Sequence, residues 1–415
     1  MIKTLTSAFK NKDIRKKLLY TLMMLVVIRI GSLLPIPGVD TEYFSTLLSG
    51  FNSGDLSYLS AFTGGSFEKM SLFALSITPY ITSSIIMQLL TIAIPKLEEM
   101  QKEGEDGRKK IASITRYVTI ALALIESIAM AVGFGRQGLI KDYKDMSTIH
   151  YVTCIIVVVA ALTAGSAVLM WIGERITEKG VGNGISIVLL INIISGMPSD
   201  FVTLYSTFVA NKSIARGVTV AVIIAAIVIA VVVLVVILQD GERRIPVQYS
   251  QKVAGRKTIG GQATNIPLKV NTAGVMPIIF ASSIMQFPVI IVQLFTSNSY
   301  EWTKYLSQSY WCRVQMPKYS IGLLLYIILV VVFAYFYTSI TFNPVQIADN
   351  LKKAGGVVPG ITPGRSTSEY LNKILNYIVF IGAVGLMIVA LIPIMCTYRL
   401  AEHLSSLLLV LFLKQ

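Results

Sequence analysis

The chain has 415 residues, of which 54% are hydrophobic and only 14% charged. A water-soluble domain carries about a quarter of its residues as charge, so this composition excludes a protein folded in water and points to a chain solvated by lipid. The formal net charge of +14 does not imply direct DNA binding, because the basic residues sit between apolar runs, where they match an anionic membrane surface.

A helix needs about 20 residues to cross about 30 Å of hydrocarbon. The basic N-terminus, residues 1–17, leads into the first apolar run at 18–34 without a small-residue cleavage site, so no cleavable signal peptide is expected. Further runs follow at 70–94, 117–134 and 151–172. The stretch 184–197 is short, and it lengthens into 201–208 if Pro198 kinks the helix rather than stopping it. These spans make a first half over 18–210. A second half over 211–396 holds runs at 217–238, 272–295, 319–341 and 374–395. The expected fold is therefore all-α, a polytopic transmembrane bundle of nine clear helices. A tenth run, 404–413, is apolar for only ten residues and would reach about 15 Å as a helix. Arg399 and Glu402 interrupt it, so 397–415 reads as a truncated or atypical end.

With the N-terminus in the cytoplasm, most of the 36 Lys and Arg residues fall on the inner connections, the asymmetry that sets orientation. The outer connection 36–69 has no Lys or Arg before Lys69. It carries an apolar stretch, Leu56 to Phe62, closed by Gly64 and Gly65, which is too short to span and reads as re-entrant. The inner connections 239–271 and 343–373 are longer than a bundle turn needs. They are basic and rich in Gly and Pro, as binding surfaces are.

An internal repeat is also visible. Pro79 is followed by Ser83, Ser84, Met87 and Gln88, and Pro277 by Ser282, Ser283, Met285 and Gln286. Met and Gln keep the same distance from the proline in both, in the second and seventh spans. Duplicated halves are common in membrane transport folds, and two apolar, Ser-bearing helices also match by chance.

No catalytic constellation is present, and no enzyme activity or cofactor is expected. Cys154, Cys312 and Cys396 lie too far apart for a disulfide framework or metal spacing, and His150 and His403 are the two histidines. Gly180-Val-Gly-Asn-Gly184 lacks the preceding strand and following Lys of a phosphate cradle, so it reads as a tight turn opening the fifth span. Glu126, in mid-span, is read as forming an interhelical hydrogen bond rather than a proton site, and Arg29 lies close enough to a helix end to snorkel. Ile77 and Ile81, like Ile185 and Leu189, are four apart and share a helix face. Such pairs ordinarily face lipid or a neighbouring helix.

Several longer stretches carry a more specific signal. They are Arg29-Ile-Gly-Ser-Leu-Leu-Pro-Ile-Pro-Gly38, Phe73-Ala-Leu-Ser-Ile-Thr-Pro-Tyr-Ile81, Lys102-Glu-Gly-Glu-Asp-Gly-Arg-Lys-Lys-Ile111, the run 180–186, Glu242-Arg-Arg-Ile245, and Pro267-Leu-Lys-Val-Asn-Thr-Ala-Gly274 continuing to Pro288. In this order, over about residues 10–395, the chain resembles the SecY family, the channel subunits of bacterial protein-export translocons.

The resemblance implies ten helices in two pseudo-symmetric halves around a central pore in the cytoplasmic membrane. It passes unfolded secretory proteins across and releases transmembrane segments sideways into lipid. Ile77, Ile81, Ile185, Leu189 and Ile279 then match pore-ring positions. Residues 56–65, with Leu56, Leu59, Phe62, Gly64 and Gly65, match the plug. Thr82, Ser84 and Gln88 on the second span, with Ser282, Ser283 and Gln286 on the seventh, line the lateral gate. Arg243, Arg244, Arg256, Lys257 and Arg365 become contacts for the SecA motor ATPase and the ribosome. Small SecE-like and SecG-like membrane subunits, signal sequences, client polypeptides and anionic lipids complete the implied partners.

Two departures from the family stand out. Thr362 occupies a position where the family usually has arginine, with Arg365 three residues on. The end, 397–415, lacks a full tenth helix and with it a sixth ring residue. The reading from another class is a secondary transporter of a small solute, using Glu126 and the broken second and seventh spans. Such a transporter gathers several ionisable groups at midplane, and this chain offers one carboxylate there.

Overall fold

The computed structural model describes residues 10–50, 63–135, 139–140, 147–206, 214–249, 252–254, 257–259, 264–295, 300–311 and 317–400. The chain divides into two compact units, one of Met1–Thr203 with Val289–Thr303 and the other of Leu204–Pro288 with Lys304–Gln415.

The first unit contains α1 (Lys12–Leu33), α2 (Thr41–Gly50), α3 (Thr78–Ala93), α4 (Pro95–Lys102), α5 (Glu105–Phe134), α6 (Thr148–Lys179) and α7 (Gly184–Leu204). Local chemistry sets several of these ends. The Asn11 side chain caps α1 by accepting from the Asp13 amide, and Ser147 caps α6 by accepting from His150. Ile94 precedes a proline and is held extended, as steric clash with the ring requires. The chain therefore turns 106° between α3 and α4. At Pro198 the other expected outcome holds, since α7 continues through the proline.

The run expected to be helical from residue 70 starts later, at Thr78. Residues 64–70 and 72–77 form successive turns, with Met70 and Ser76 at φ of 41° and 54°. This segment is spent on the packing of one end of the unit. Ser71 bridges Pro35, and Phe67 stands 5.9 Å from Phe44 and 6.4 Å from Phe134 in edge-on pairs. Between α5 and its neighbours the polar side chains pair with one another. Ser83 meets Thr119 at 2.5 Å, and Ser127 meets Thr163 at 2.8 Å.

The second unit contains α8 (Ile214–Asp240), most of α9 (Met276–Phe295), α10 (Thr303–Leu306), α11 (Ile321–Thr341), α12 (Pro344–Lys353) and α13 (Arg365–Leu400). Its apolar core joins α8, α9, α11 and α13 through Val235, Met285, Tyr326, Val330 and Leu386. The all-α expectation needs correction here. Strands β1 (Glu242–Tyr249), β4 (Thr264–Lys269) and β5 (Gly356–Val357) form an antiparallel sheet in the order β4-β1-β5, and β2 (Lys252–Ala254) pairs with β3 (Lys257–Ile259). The physical reason is alternation, which buries Ile245 and Val247 while their neighbours Arg244, Pro246 and Gln248 stay exposed. Ile245, Val247 and Leu268 then share a core with Leu351, Val358 and Leu371.

Among the described residues, five helices are long and apolar enough to cross a membrane, or six if α3 and α4 count as one broken span. That is fewer than the nine apolar runs. The described apolar parts of α8 and α9, Ile224–Asp240 and Met276–Gln286, are shorter, and α1 carries Lys16, Lys17 and Arg29 within its length. The expected tenth run, 404–413, lies outside the described residues.

Candidate functional site

The site is built where α7 begins. The Asn183 carboxamide oxygen accepts from the Ile185 and Ser186 amides at 3.0 and 3.4 Å, and the Gly184 amide donates to Thr177 Oγ1 at 2.8 Å. Gly184 lies so close to the Gly173 carbonyl of α6 that any Cβ would overlap it. The 180–184 stretch is thus a turn that seats α7 against α6.

From that start Ile185 and Leu189 fall on one face of α7. Across from them, Ile77 caps the start of α3 and Ile81 follows one turn later, its amide donating to the Ile77 carbonyl at 3.1 Å. One apolar cluster gathers all four. Ile77 lies at its centre, 1% exposed, with Ile28, Phe73, Ile172 and Val188, while Ile81, Ile185 and Leu189 are half-buried against it. A Cβ at Gly173 would stand 3.5 Å from Ile185 Cγ1 and 3.6 Å from Ile77 Cδ1, so both isoleucines flank the same point of α6.

A polar seam adjoins this face. Asn192, one turn beyond Leu189, is buried and donates from Nδ2 to Ser76 Oγ at 3.0 Å. Ser195 Oγ donates to the Asn192 carbonyl at 2.6 Å and lies 3.5 Å from the Gly64 carbonyl. Gly64 has φ of 62°, and a Cβ there would stand 2.5 Å from the Asn192 carbonyl oxygen. Positive φ and close approach both demand glycine. Sequence reasoning missed Ser76, Asn192 and Ser195. The available signal was an amide side chain in an apolar helix, seven residues after Ile185 and so on the same face.

In the second unit Ile279 is 7% exposed, and its surroundings repeat those of Ile81. Pro277 is the second residue of α9 as Pro79 is of α3. The Ile279 amide donates to the Val275 carbonyl at 3.3 Å, as Ile81 does to Ile77. Met87 and Met285 are both buried. The proline-anchored repeat read from sequence is therefore also a repeat of local structure.

The residues matched to the gate take different environments. Thr82 Oγ1 donates to the Thr78 carbonyl at 3.1 Å, Ser84 and Ser283 are half-buried, and Ser282 is buried with its hydroxyl hydrogen-bonded to Tyr326. Gln88 Oε1 is buried without a hydrogen-bond partner among the described residues, and Gln286 is buried. Of the residues matched to the plug, Gly64 and Gly65 are described, whereas Leu56, Leu59 and Phe62 lie outside the described residues.

Arg243 and Arg244 stand exposed on β1, where Arg244 pairs with Glu242 at 2.6 Å. Lys257 opens β3, and Arg256 lies outside the described residues. Arg365 begins α13, exposed, pairing with Glu369 at 3.0 Å. Thr362 Oγ1 donates to Ser366 Oγ at 2.9 Å, so that position ties down the turn before α13. The interhelical bond expected of Glu126 is not made among the described residues. One residue on, Ser127 makes it to Thr163 instead, because Ser127 is the residue that faces α6 while Glu126 remains half-buried beside it. Arg29 Nη1 is buried without a hydrogen-bond partner among the described residues.

The four-residue face offers branched apolar side chains and no hydrogen-bonding atom. Such a surface closes by packing, opens without leaving polar groups unsatisfied, and sheds water when empty. It suits the passage of a chain of arbitrary sequence, which fixed polar contacts would detain.

Comparison with known proteins places the whole chain in a family. A family model described as SecY matches residues 71–413. The match thus takes in 404–413, within the segment that the residue pattern set apart. The protein translocase subunit SecY of Corynebacterium glutamicum is 41% identical over 395 residues, covering 93% of this chain and 87% of that one. Two solved structures share the fold at 17% identity. The one described as showing that the plug domain of the SecY protein stabilises the closed state has a TM-score of 0.61, covering 96% of this chain and 90% of its own. The other is Sec61 in the canine ribosome-channel complex from the endoplasmic reticulum, with a TM-score of 0.56 and coverage of 96% and 89%.

Proposed function

The chain belongs to the SecY family of protein translocase subunits, and from that premise we propose that Ile77, Ile81, Ile185 and Leu189, together with Ile279, form the constriction of its pore. The chain is a protein translocase channel. The observation that carries the assignment is the gathering of four branched apolar residues, from the starts of α3 and α7, into one cluster beside the α6 glycine Gly173. The repeat of the α3 start in α9 supports the addition of Ile279, and supports two pseudo-symmetric halves with ten spans, whose ranges are those of the apolar runs.

In this reading residues 56–65 plug the pore from outside, and Thr82, Ser84 and Gln88 with Ser282, Ser283 and Gln286 line a seam. Apolar client segments leave through that seam, since burying each CH₂ in lipid is worth about 0.8 kcal/mol. The exposed Arg243, Arg244 and Arg365, with Arg256 and Lys257, meet the SecA motor ATPase and the ribosome. The ribosome is supported by the canine complex among the structural neighbours. SecE-like and SecG-like subunits and anionic lipids complete the assembly in the cytoplasmic membrane, with the N-terminus in the cytoplasm. The solute-transporter alternative has no support in the comparisons, and among the described residues no group of three or more His, Cys, Asp or Glu converges with Glu126.

Cross-linking tests the constriction. A precursor stalled in transit should cross-link to cysteine placed at Ile81 or Leu189 and not to cysteine at Ile125, which is 60% exposed on α5. Equal cross-linking to Ile125 would remove the four-residue face from the pathway.

A further inference from the structure

We infer that Asn192 is a positioning residue for the constriction: through its hydrogen bond to Ser76 it holds Ile77 against the α7 face that carries Ile185 and Leu189. This deepens the proposed pore and rests on that reading.

Three observations converge. Ile185, Leu189 and Asn192 follow one another at steps of four and three, so they form one stripe of α7. Asn192 is the polar residue of that stripe and is only 2% exposed. Its Nδ2 donates 3.0 Å to Ser76 Oγ, across 116 residues of sequence. Ser76 is the residue immediately before Ile77, and it sits at φ of 54°, a left-handed conformation that a non-glycine residue adopts at a cost of roughly 1–3 kcal/mol. Such a conformation persists where the surroundings enforce it. Here a buried donor does so, and the carbonyl of the same Asn192 meets the backbone of Gly64.

Asn192 Oδ1 is buried with no hydrogen-bond partner among the described residues. An unsatisfied buried acceptor is itself costly, so the residue is not the cheapest filling for this space. Leucine would fit a helix of this composition better. What the amide supplies that leucine cannot is the donor that fixes Ser76, and with it the place of the ring residue next in the chain. The closed constriction then depends on one directional bond as well as on apolar packing.

The test is resting ion conductance of the translocase complex containing the full chain in planar lipid bilayers, read with export of a precursor whose signal sequence is impaired. Asn192→Leu and Ser76→Ala each remove the same bond. Each should raise resting leak and relax signal stringency, with a shift of roughly five- to tenfold in the open population. The double variant should do no more than either single one. Ser76→Gly, which relieves the left-handed backbone but also lacks the hydroxyl, should leak as Ser76→Ala does, whereas a role of backbone strain alone would make it tighter than Ser76→Ala. If Asn192→Leu fails to accumulate, Ser76→Ala carries the same prediction with a smaller change of volume. Ile81→Gly in the same bilayers separates the two claims. If Ile81→Gly leaks and both seam variants stay tight, the inference about Asn192 is wrong and the pore stands. If Ile81→Gly does not leak, the pore reading itself falls. Additive effects of Asn192→Leu and Ser76→Ala would mark two independent packing losses and overturn the positioning role.

Discussion

The isoleucine face of the first unit and the small sheet of the second are built on opposite principles. At the face, the α3 residues Ile77 and Ile81 meet the α7 residues Ile185 and Leu189 through apolar side chains, and a directional bond nearby runs from Asn192 to Ser76. In the sheet, β1 pairs with β4 from Glu242↔Lys269 to Val247↔Thr264, and the backbone ladder leaves the arginines of β1 exposed. Hydrophobic contact is non-directional, so a surface made of it parts and closes without a fixed register. A hydrogen-bonded ladder has a register and holds it. The difference matches the roles proposed for the two regions, one place that yields to any polypeptide and another that presents fixed charges to partners.

The rigid side of the comparison breaks most heavily where its core is emptied. Ile245→Ala, beneath the sheet, should cost about 2–5 kcal/mol. The reading is a lowered thermal midpoint in detergent, with the exposed-site Arg243→Ala as control. On the yielding side, the seat of α7 is sharper than the face it positions. Gly184→Ala forces a Cβ into the Gly173 carbonyl and should destabilise by about 1–3 kcal/mol. Gly173→Ala meets only ordinary contacts at 3.5 and 3.6 Å, so the same assay should find it near the parent. Equal loss at both positions would mean that the close approach at Gly184 is not what seats the helix.

Charge effects come next. Reversing Arg243 and Arg244 together should leave the fold intact and weaken motor or ribosome binding by roughly tenfold at low salt. The difference should shrink as the Debye length falls to about 8 Å at physiological ionic strength. Binding that is indifferent to the reversal at low salt would remove β1 from the docking surface. Smallest of all is Arg365→Gln. It breaks an exposed ion pair with Glu369 and should change stability by no more than about 0.5 kcal/mol, so any large effect it has on motor-driven export would belong to partner contact.

How much of this was legible before the structure varies with the range of the forces involved. The apolar runs are local, and the long helices of the described residues overlap them, whereas α2, α4, α10 and α12 lie in the connections. The proline at 198 was read with two outcomes, and the helix runs on through it. The strands escaped because Pro246 and Pro267 and the flanking charges interrupt the alternation that Ile245 and Val247 keep. The late start of α3 escaped because 70–77 is as apolar as a helix, and its turns are imposed by contacts to Pro35 and Phe44 far away in sequence. The four ring candidates were legible only as two pairs at helical spacing. The role proposed for them rests on the family resemblance, and their meeting came from the fold. The Asn192–Ser76 bond joins residues too distant for any local pattern to connect. Glu126 was misread by one position, since the bond to α6 is made by Ser127, a single helical step of about 100° away.

The central claim is that the face of Ile77, Ile81, Ile185 and Leu189 is the seal of the channel, and resting conductance tests it most directly. Ile185→Asn should hydrate the constriction and raise the ion conductance of the idle complex, whereas the same substitution at Ile125, on the exposed side of α5, should leave the idle complex as tight as the parent. A tight Ile185→Asn channel, or equal leak from both variants, would contradict the account.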